Sequence, residues 1–442
     1  MTLVQPTRIV VVGFGGREHA LAWKLAGEPG VNTVWVVPGS EAISEEPRVE
    51  ISTGLARESI DDGTALSNFA RGEAAELVVI GPEAPLAAGV VDTLLADGVV
   101  AFGPTAAAAR IESSKAFCRE VAEAAGVAIA PGRAFDEPAG AHAYARELAA
   151  GGSGVVIKAD GLAAGKGVTV CADAAEAEQA IAALFEADPR GLVVVERRLA
   201  GREASVIAIT DGTRAVALPA ARDHKRLFDG DEGPNTGGMG AYSPLEDLPD
   251  EAVDDIIRTV HQAILAELAR RGTPFRGFLY AGLMLTSDGP ILLECNARLG
   301  DPEAQVILPR LGVAIGPWLR AAARGELPAD APARLPVLPF GAVGIVLAAE
   351  GYPAEPRTGA LIAGLDAARA EGALVFHSGT GRDDTGAYRT RGGRALTVVG
   401  RGPDLAGARA VAERAADSIS WPGMQRRHDI AAALPAPVGA AR

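Results

Sequence analysis

Short runs of β-branched residues alternate with stretches of helical periodicity over the first hundred residues. Arg8–Val12 is such a run, Glu18–Leu25 follows with apolar positions at helical spacing, and Thr33–Val37, Leu77–Ile80 and Val99–Phe102 repeat the strand pattern. This alternation predicts βαβ units and a doubly wound parallel sheet. A helix is expected from about Thr105 to Ala125, then a loop over Ala130–Pro138. From Gly154 the pattern changes to strands joined by Gly-rich turns: Val155–Ala159, Gly167–Cys171, Leu192–Glu196, Ala204–Thr210 and Arg214–Leu218. Ala221–Pro244 carries neither period, and so long a stretch inside a compact domain is usually functional or disordered. An amphipathic helix over 249–271 follows, then a hairpin of Phe278–Thr286 with Pro290–Glu294 around Ser287-Asp288-Gly289. The Pro- and Ala-rich Leu327–Pro339 reads as a linker. Gly341–Leu347, Leu374–Phe376, Arg394–Val399 and a helix from about Asp404 then predict a small α/β tail.

The chain has 442 residues, enough for about three domains. The expected division is an N-terminal Rossmann-like substrate domain over 1–110, a central domain over 111–330 and a C-terminal α/β domain over 331–442. A net charge of −14 argues against a broad nucleic-acid-binding surface. No window reaches the roughly 18 uninterrupted apolar residues of a membrane span. The start, MTLVQPTRIVVVG, lacks the basic and apolar regions of a signal peptide and reads as a first strand. Cys118, Cys171 and Cys295 are too few and too scattered for a disulfide framework or a Cys-based zinc site. A reducing cytoplasm is the expected location. Of 42 basic residues only Lys24, Lys115, Lys158, Lys166 and Lys225 are lysines. In a chain so biased toward arginine, the retained lysines mark places where a compact ammonium is needed. For any single one, chance survival is the better explanation; Lys158 and Lys166 in one Gly-rich segment weaken it for the set.

The first Gly-rich turn, Gly13-Phe14-Gly15-Gly16-Arg17-Glu18-His19, joins a strand to a helix and so offers an anion site. It is not a dinucleotide fingerprint, because Glu18 stands where the third glycine belongs. The second strand also ends Val36-Val37-Pro38-Gly39, without an acid for a ribose. Arg17 and His19 suit a phosphate monoester instead; a tight turn with no ligand is the bland alternative. The second Gly-rich element, Lys158 to Gly167, lacks the order of a Walker loop but can fold over a polyphosphate, with Lys158 bridging phosphates. Glu196-Arg197-Arg198-Leu199 and Glu203 end a buried strand, where backbone can take an adenine edge and a carboxylate a ribose. Glu294-Cys295-Asn296-Ala297-Arg298 places two hard oxygen donors and a guanidinium on one face of a strand end. That suits Mg²⁺ held jointly with phosphates and a charge clamp for group transfer. An ordinary salt bridge at a strand end competes with this reading in so acidic a chain. Ala221–Pro244, dense in glycine and mixed charge, suits a zwitterionic or phosphorylated small molecule.

Together GFGGREHALAWKL, GPEAPLAAGVVD, FGPTAAAARIESSKAF, KADGLAAGKGV, DHKRLFDGDEGPNTGGMGAYSP, ECNARLGDPEAQ, GYPAEPRTG and GGRALTVVG resemble the glycinamide ribonucleotide synthetase family of ATP-grasp ligases along essentially the whole chain. The resemblance implies a pre-ATP-grasp sheet, an ATP-grasp domain whose lid covers about 130–199, and a small C-terminal domain. It implies that ATP phosphorylates the carboxylate of glycine and that the amine of 5-phosphoribosylamine displaces the phosphate. On this resemblance Lys115, Lys158, Gly161, Gly165, Lys166 and Gly167 contact ATP phosphates, Glu196 and Leu199 frame adenine and Glu203 holds ribose. Glu294 and Asn296 bind Mg²⁺ or Mn²⁺, while Arg298, Asp223 and Lys225 serve the chemistry. Substrate contacts fall to Gly15, Gly16, Arg17, Glu18 and His19, to Asn235, Thr236, Gly237, Gly238 and Met239, and to Asp301, Pro302 and Glu303. Partners are small molecules, with neither nucleic acid nor membrane, and the chain is expected to be a monomer or weak dimer. Departures from the family pattern are Phe14, Arg222 and the pair Arg197 and Arg198, and Ala281–Leu285 carries no carboxylate. Another ATP-grasp carboxylate–amine ligase is the nearest alternative. A nucleotide-dependent dehydrogenase is disfavoured by the altered glycine turn, and an ATP sensor by the charge clamp.

Overall fold

The computed structural model describes residues 3–432 except 53 and 163–166, so Gly165 and Lys166 lie outside the described residues. The valine runs form β1 (Arg8–Gly13), β2 (Thr33–Pro38), β3 (Val49–Ile51), β4 (Leu77–Ile80) and β5 (Ala101–Phe102). They make one parallel sheet in the order β3-β2-β1-β4-β5. Burial on both faces accounts for the near-continuous apolar strands. The order reverses between β1 and β4, so the turns after them, at Gly13 and Glu83, open at one crevice.

The central region is built from two four-stranded antiparallel sheets. The first contains β6 (Gly132–Phe135), β7 (Val155–Ala159), β8 (Val168–Cys171) and β9 (Val193–Arg197). Helices Pro138–Ala149 and Ala174–Ala187 back it, burying Ala141, Ala145, Ile157 and Ile181 in a small core of its own. The second contains β10 (Arg202–Asp211) and β11 (Ala215–Ala217) with the long hairpin described below. Between the sheets lies the cleft.

Residues 221–244 are more ordered than their composition suggests. They hold β12 (Arg222–Asp223), β13 (Arg226–Phe228), β14 (Glu232–Asn235) and β15 (Gly240–Ser243). β13 pairs with β14, and β12 with β15. Next come β16 (Arg276–Thr286) and β17 (Gly289–Asn296), the hairpin that completes the sheet β11-β10-β16-β17. The tail supplies β18 (Gly341–Ala348), β19 (Leu374–His377), β20 (Thr380–Arg382), β21 (Tyr388–Thr390) and β22 (Arg394–Gly402). Its sheet runs β12-β15-β18-β22-β19, so two strands come from the polar excursion. Backbone pairing to the tail orders that stretch, and side-chain periodicity is silent about it.

Three other departures have local causes. The helix expected over 105–125 is two, Ala106–Ser113 and Lys115–Ala124, broken at an extended Ser114 with φ −138°. The Ser114 hydroxyl accepts from Phe117 N at 3.1 Å, and Asp160 accepts from Ala116 N at 3.0 Å, so the second helix is capped afresh. The loop expected over 130–138 contains β6, a largely exposed edge strand on β9 with no apolar alternation to reveal it. The amphipathic helix spans Asp250–Arg270 with a π turn at Ile257–His261, where buried His261 Nε2 lies 3.2 Å from Val206 O. Among the described residues no helix is long and apolar enough to cross a membrane, and all three cysteines are free and buried.

The N-terminal sheet is tied to the central region by buried side chains. Glu28 accepts from Ile315 N at 2.6 Å and Gly316 N at 3.0 Å, capping helix Gly316–Arg324 from another domain. Lys24 Nζ donates to Leu311 O at 2.8 Å. Burial pushes the Glu28 carboxyl up despite these donors. Replacing it by Ala leaves two buried amides without acceptors, a loss of about 1–3 kcal/mol each. Glu28→Ala is therefore expected to lower the thermal unfolding midpoint by at least several degrees, and Glu28→Gln, which keeps one acceptor oxygen, by less; calorimetry checks both.

Candidate active site

A cavity of about 1200 Å³ lies where the two central sheets, the first crevice and the 221–244 stretch converge. One wall is the sheet β6-β9-β7-β8. Lys158 points from β7 into the cavity and is 8% exposed. Its ammonium lies 2.7 Å from Glu196 Oε2 and donates to Leu293 O at 2.9 Å. The second contact has a local origin. β16 and β17 pair Leu283 with Leu292 and Gly282 with Glu294, so Leu293 is bulged out of the ladder and its carbonyl can take the lysine. Arg119 Nη1 donates to the other Glu196 oxygen at 3.1 Å, fixing the end of β9. Lys115 opens its helix and donates to Gly161 O at 2.9 Å, at the start of the Gly-rich segment. Burial lowers the Lys115 pKa. Gly161, Gly167, Leu199 and Glu203 also line this part of the cavity.

The opposite wall is the end of β17. Glu294 and Asn296 are half-buried and line the cavity, and the residue facing Glu294 on β16 is Gly282. A Cβ there would meet Glu294 Cγ at 3.1 Å, so this strand pair supplies a single carboxylate. Burial opposes its ionisation, but Lys225, Lys158, Arg298 and Lys115 hold Glu294 below the usual carboxylate range. Lys225 Nζ stands 2.8 Å from Glu203 and 3.8 Å from Glu294. Against its own burial, these carboxylates and Asp223 raise Lys225 well above the usual lysine value. Asp223 behaves oppositely. Burial, reinforced by Glu303, Glu203 and Glu294, outweighs Lys225 and pushes it up to about 8. Glu303 is satisfied by Tyr280 OH at 3.1 Å and Ser205 Oγ at 3.2 Å.

Arg298 joins this wall to the N-terminal sheet. Its Nε is 3.1 Å from Glu83 Oε2, its Nη2 2.9 Å from Glu112 Oε1, and its Nη1 donates to Leu299 O at 3.1 Å. Burial works against the charge, yet Glu112 and Glu83 raise the Arg298 pKa above its ordinary value. Burial likewise works against the Glu83 anion, but Arg298 and Arg17 bring it down to about 2.

The glycine turn is arranged differently from an open anion site. Glu18 folds back, accepting from Gly15 N at 2.7 Å and pairing with Arg17 at 2.6 Å, so the first free amide is taken internally. Gly16 packs against Ser378 and Gln305. His19 is turned from the cavity into the tail: its Nδ1 accepts from His377 N at 2.9 Å and its Nε2 lies 3.2 Å from Glu46. Of Gly15, Gly16, Arg17, Glu18 and His19, Arg17 lines the cavity. Asn235, Thr236 and Gly237 line it too, whereas Met239 is fully buried with Leu227 and Ala348, and Gly238 packs on Pro302. Asp301 lines the cavity beside Glu303.

Several contributors lie in segments that carry the family resemblance but had no role assigned from sequence. Glu83 follows β4 in GPEAP and Glu112 precedes Lys115 in IESSK; an acid beside each recognised element was the available signal. Arg394 of the tail donates to Asp301 O at 2.6 Å and to Gly237 O, and Tyr352 OH accepts from Gly237 N at 2.8 Å. The tail thus holds the loop 235–237 against the cavity. Arg222 is buried, donating to Glu203 O at 2.5 Å, Tyr242 OH at 2.9 Å and Asp247 at 2.8 Å. It braces the backbone of Glu203 at the edge of the cavity. The Phe14 ring lies 4.3 Å below the Arg57 guanidinium.

Two antiparallel sheets closing on a cleft, with Lys158 on one, Lys115 at a helix start beside it and a carboxylate–amide strand end on the other, define an ATP-grasp enzyme. The N, ATP-grasp (A) and C domains of phosphoribosylglycinamide synthetase match residues 7–112, 113–304 and 342–433. The chain belongs to the phosphoribosylglycinamide synthetase family. It is 45% identical over 431 residues to a phosphoribosylamine–glycine ligase of Allochromatium vinosum, covering 96% of this chain and 97% of that one. It is 43% identical to a trifunctional purine biosynthetic protein of Gallus gallus, of which it spans 42%. A crystal structure of phosphoribosylamine–glycine ligase from Thermotoga maritima superposes with TM-score 0.79 at 32% identity, covering 96% and 100% of the two chains.

The Lys158 ammonium lies between Glu196 and Leu293 O, 2.7 and 2.9 Å away. A longer, planar guanidinium places its donors differently from this point charge. Lys158→Arg is expected to raise the KM for ATP and lower kcat, with a combined loss of at least tenfold in kcat/KM; steady-state kinetics check this against Lys24→Arg.

Proposed function

We infer that this chain joins glycine to 5-phosphoribosylamine at the expense of ATP, forming glycinamide ribonucleotide, ADP and phosphate for purine biosynthesis. The observation that carries the reading is the convergence of Lys115, Lys158, Glu294, Asn296 and Arg298 on one cavity closed by the loop 235–237. Two point charges on the lid side suit a polyphosphate, and a fixed guanidinium beyond them suits a carboxylate becoming an acyl phosphate. Glu196 and Leu199 then border adenine, and Glu203, braced by Arg222, takes the ribose.

The donor set fits a divalent cation. Glu294 is held ionised, Asn296 adds a neutral hard oxygen, and among the described residues no cluster of three or more His, Cys, Asp or Glu offers a complete cage. That pattern suits Mg²⁺ or Mn²⁺ shared with phosphate oxygens. When bound, such an ion neutralises charge on the transferring phosphoryl group.

The glycine carboxylate attacks the γ-phosphorus, the bond to the bridging oxygen of ADP breaks, and glycyl phosphate forms. Arg298 offers N–H groups to the charge on this acyl phosphate. The phosphoribosylamine nitrogen then attacks the acyl carbon, phosphate leaves and the nitrogen loses a proton. Asp223, beside Lys225 in the polar cluster, receives that proton. Arg17, Asp301 and the loop 235–237 border the space for the phosphoribosyl group, and closure by Arg394 and Tyr352 keeps water from the intermediate.

Release of ADP is expected to require glycine and freshly generated phosphoribosylamine together, read in a coupled assay. Robust release without glycine, or preference for another amino acid, would move the reading to a different carboxylate–amine ligase. Asp223 supplies a second expectation. With its pKa near 8 it is largely protonated at neutral pH and gains base capacity as pH rises. The value of kcat/KM for phosphoribosylamine is expected to climb toward an inflection near 8. Asp223→Asn is expected to lower it at least 100-fold and abolish the inflection in the residual rate.

A further inference from the structure

Arg298 is an unusually constrained charge. A guanidinium has five N–H donors; here Nε, Nη1 and Nη2 each spend one on Glu83, Leu299 O and Glu112. Two N–H groups remain for a reactant. Glu83 is partly open to the cavity, with its side chain 33% exposed, whereas Glu112 is 7% exposed. Glu112 also does two things at once: Oε1 meets Arg298 Nη2 at 2.9 Å, and Oε2 accepts from Ala297 N at 2.7 Å. One carboxylate therefore fixes both the guanidinium and the backbone just before it.

Its place in the chain adds a second link. Glu112 closes the helix Ala106–Ser113, three positions before Lys115, whose ammonium holds Gly161 O at the start of the Gly-rich segment. Ser114 between them is extended and hydrogen-bonded to Asp160 at 3.1 Å. A single turn of chain thus touches the strand-end charge on one side and the Gly-rich segment on the other.

We propose that Glu112 is a positioning residue for the ligase reaction, holding the Arg298 guanidinium so that its two free N–H groups face the reacting carboxylate. This rests on the reading that Arg298 serves the acyl-phosphate centre. Displacing an oriented group by about 1 Å can cost on the order of 100-fold in rate without altering ground-state binding.

Glu112→Gln is isosteric and keeps an acceptor for Ala297 N, but removes the charge facing Arg298. The expected result is a fall in kcat of about 100-fold, with the KM for ATP and the thermal midpoint near those of the unaltered enzyme. Glu112→Asp, too short for both contacts, is expected to be similarly impaired. In Glu112→Gln/Arg298→Lys the two losses should not multiply, because one residue acts through the other. A kcat for Glu112→Gln within threefold of normal beside an impaired Arg298→Lys overturns this proposal alone. So do multiplicative losses in the double variant, or a loss confined to ATP affinity and melting temperature. Normal turnover of Arg298→Lys overturns the placement of Arg298 and this proposal with it.

Discussion

A buried positive charge must be compensated, and the way Arg298 is compensated organises the molecule. Its partners, Glu83 and Glu112, come from the segments after β4 and β5, while Arg298 itself follows β17. The ion pairs therefore span the junction between the parallel sheet and the antiparallel one. Removing both acids would leave an uncompensated charge in a desolvated site, which is far costlier than losing a surface pair, whereas losing one leaves Arg298 its other carboxylate. The N-terminal sheet is in this sense part of the cleft.

The same balance runs along the cavity. Lys225 helps keep Glu294 ionised against its burial, while burial, reinforced by Glu303, Glu203 and Glu294, drives Asp223 toward the neutral acid. Two carboxylates in one polar cluster thereby differ in protonation at neutral pH, Glu294 as the anion and Asp223 as the acid that ionises only as pH rises. Three of the lysines retained in an arginine-rich chain sit where this matters. Lys158 and Lys225 each fit among oxygens at hydrogen-bonding distance, and Lys115 spans to Gly161 O.

Legibility in the sequence followed the source of order in each element. Strands β1, β4 and β7 announce themselves because apolar burial forms them. The Glu294–Arg298 spacing was readable because a strand end aligns alternate residues. β6, β12 and β15 were hidden because backbone pairing, with little apolar alternation, defines them. The break at Ser114 was hidden because its cause, the capping hydroxyl and Asp160, includes a partner far away in sequence. Glu112 and Arg394 were unreadable for a related reason: their roles exist in contacts that no local spacing encodes. The glycine turn misled in part, since Glu18 satisfies it from within and His19 serves the contact with the tail.

The sheet shared between β12, β15 and the tail has an architectural outcome. The proline-rich stretch 327–339 looks like a seam at which the protein divides, but the hydrogen-bonded ladder runs across it. A polypeptide severed there would strip β15 of its β18 partner and bare an apolar edge suited to pairing with foreign strands. The loop carrying Asn235–Gly237 would lose Tyr352 and Arg394 at the same cut. The third module thus behaves as a missing wall of the second, and shuffling it independently between proteins would break both.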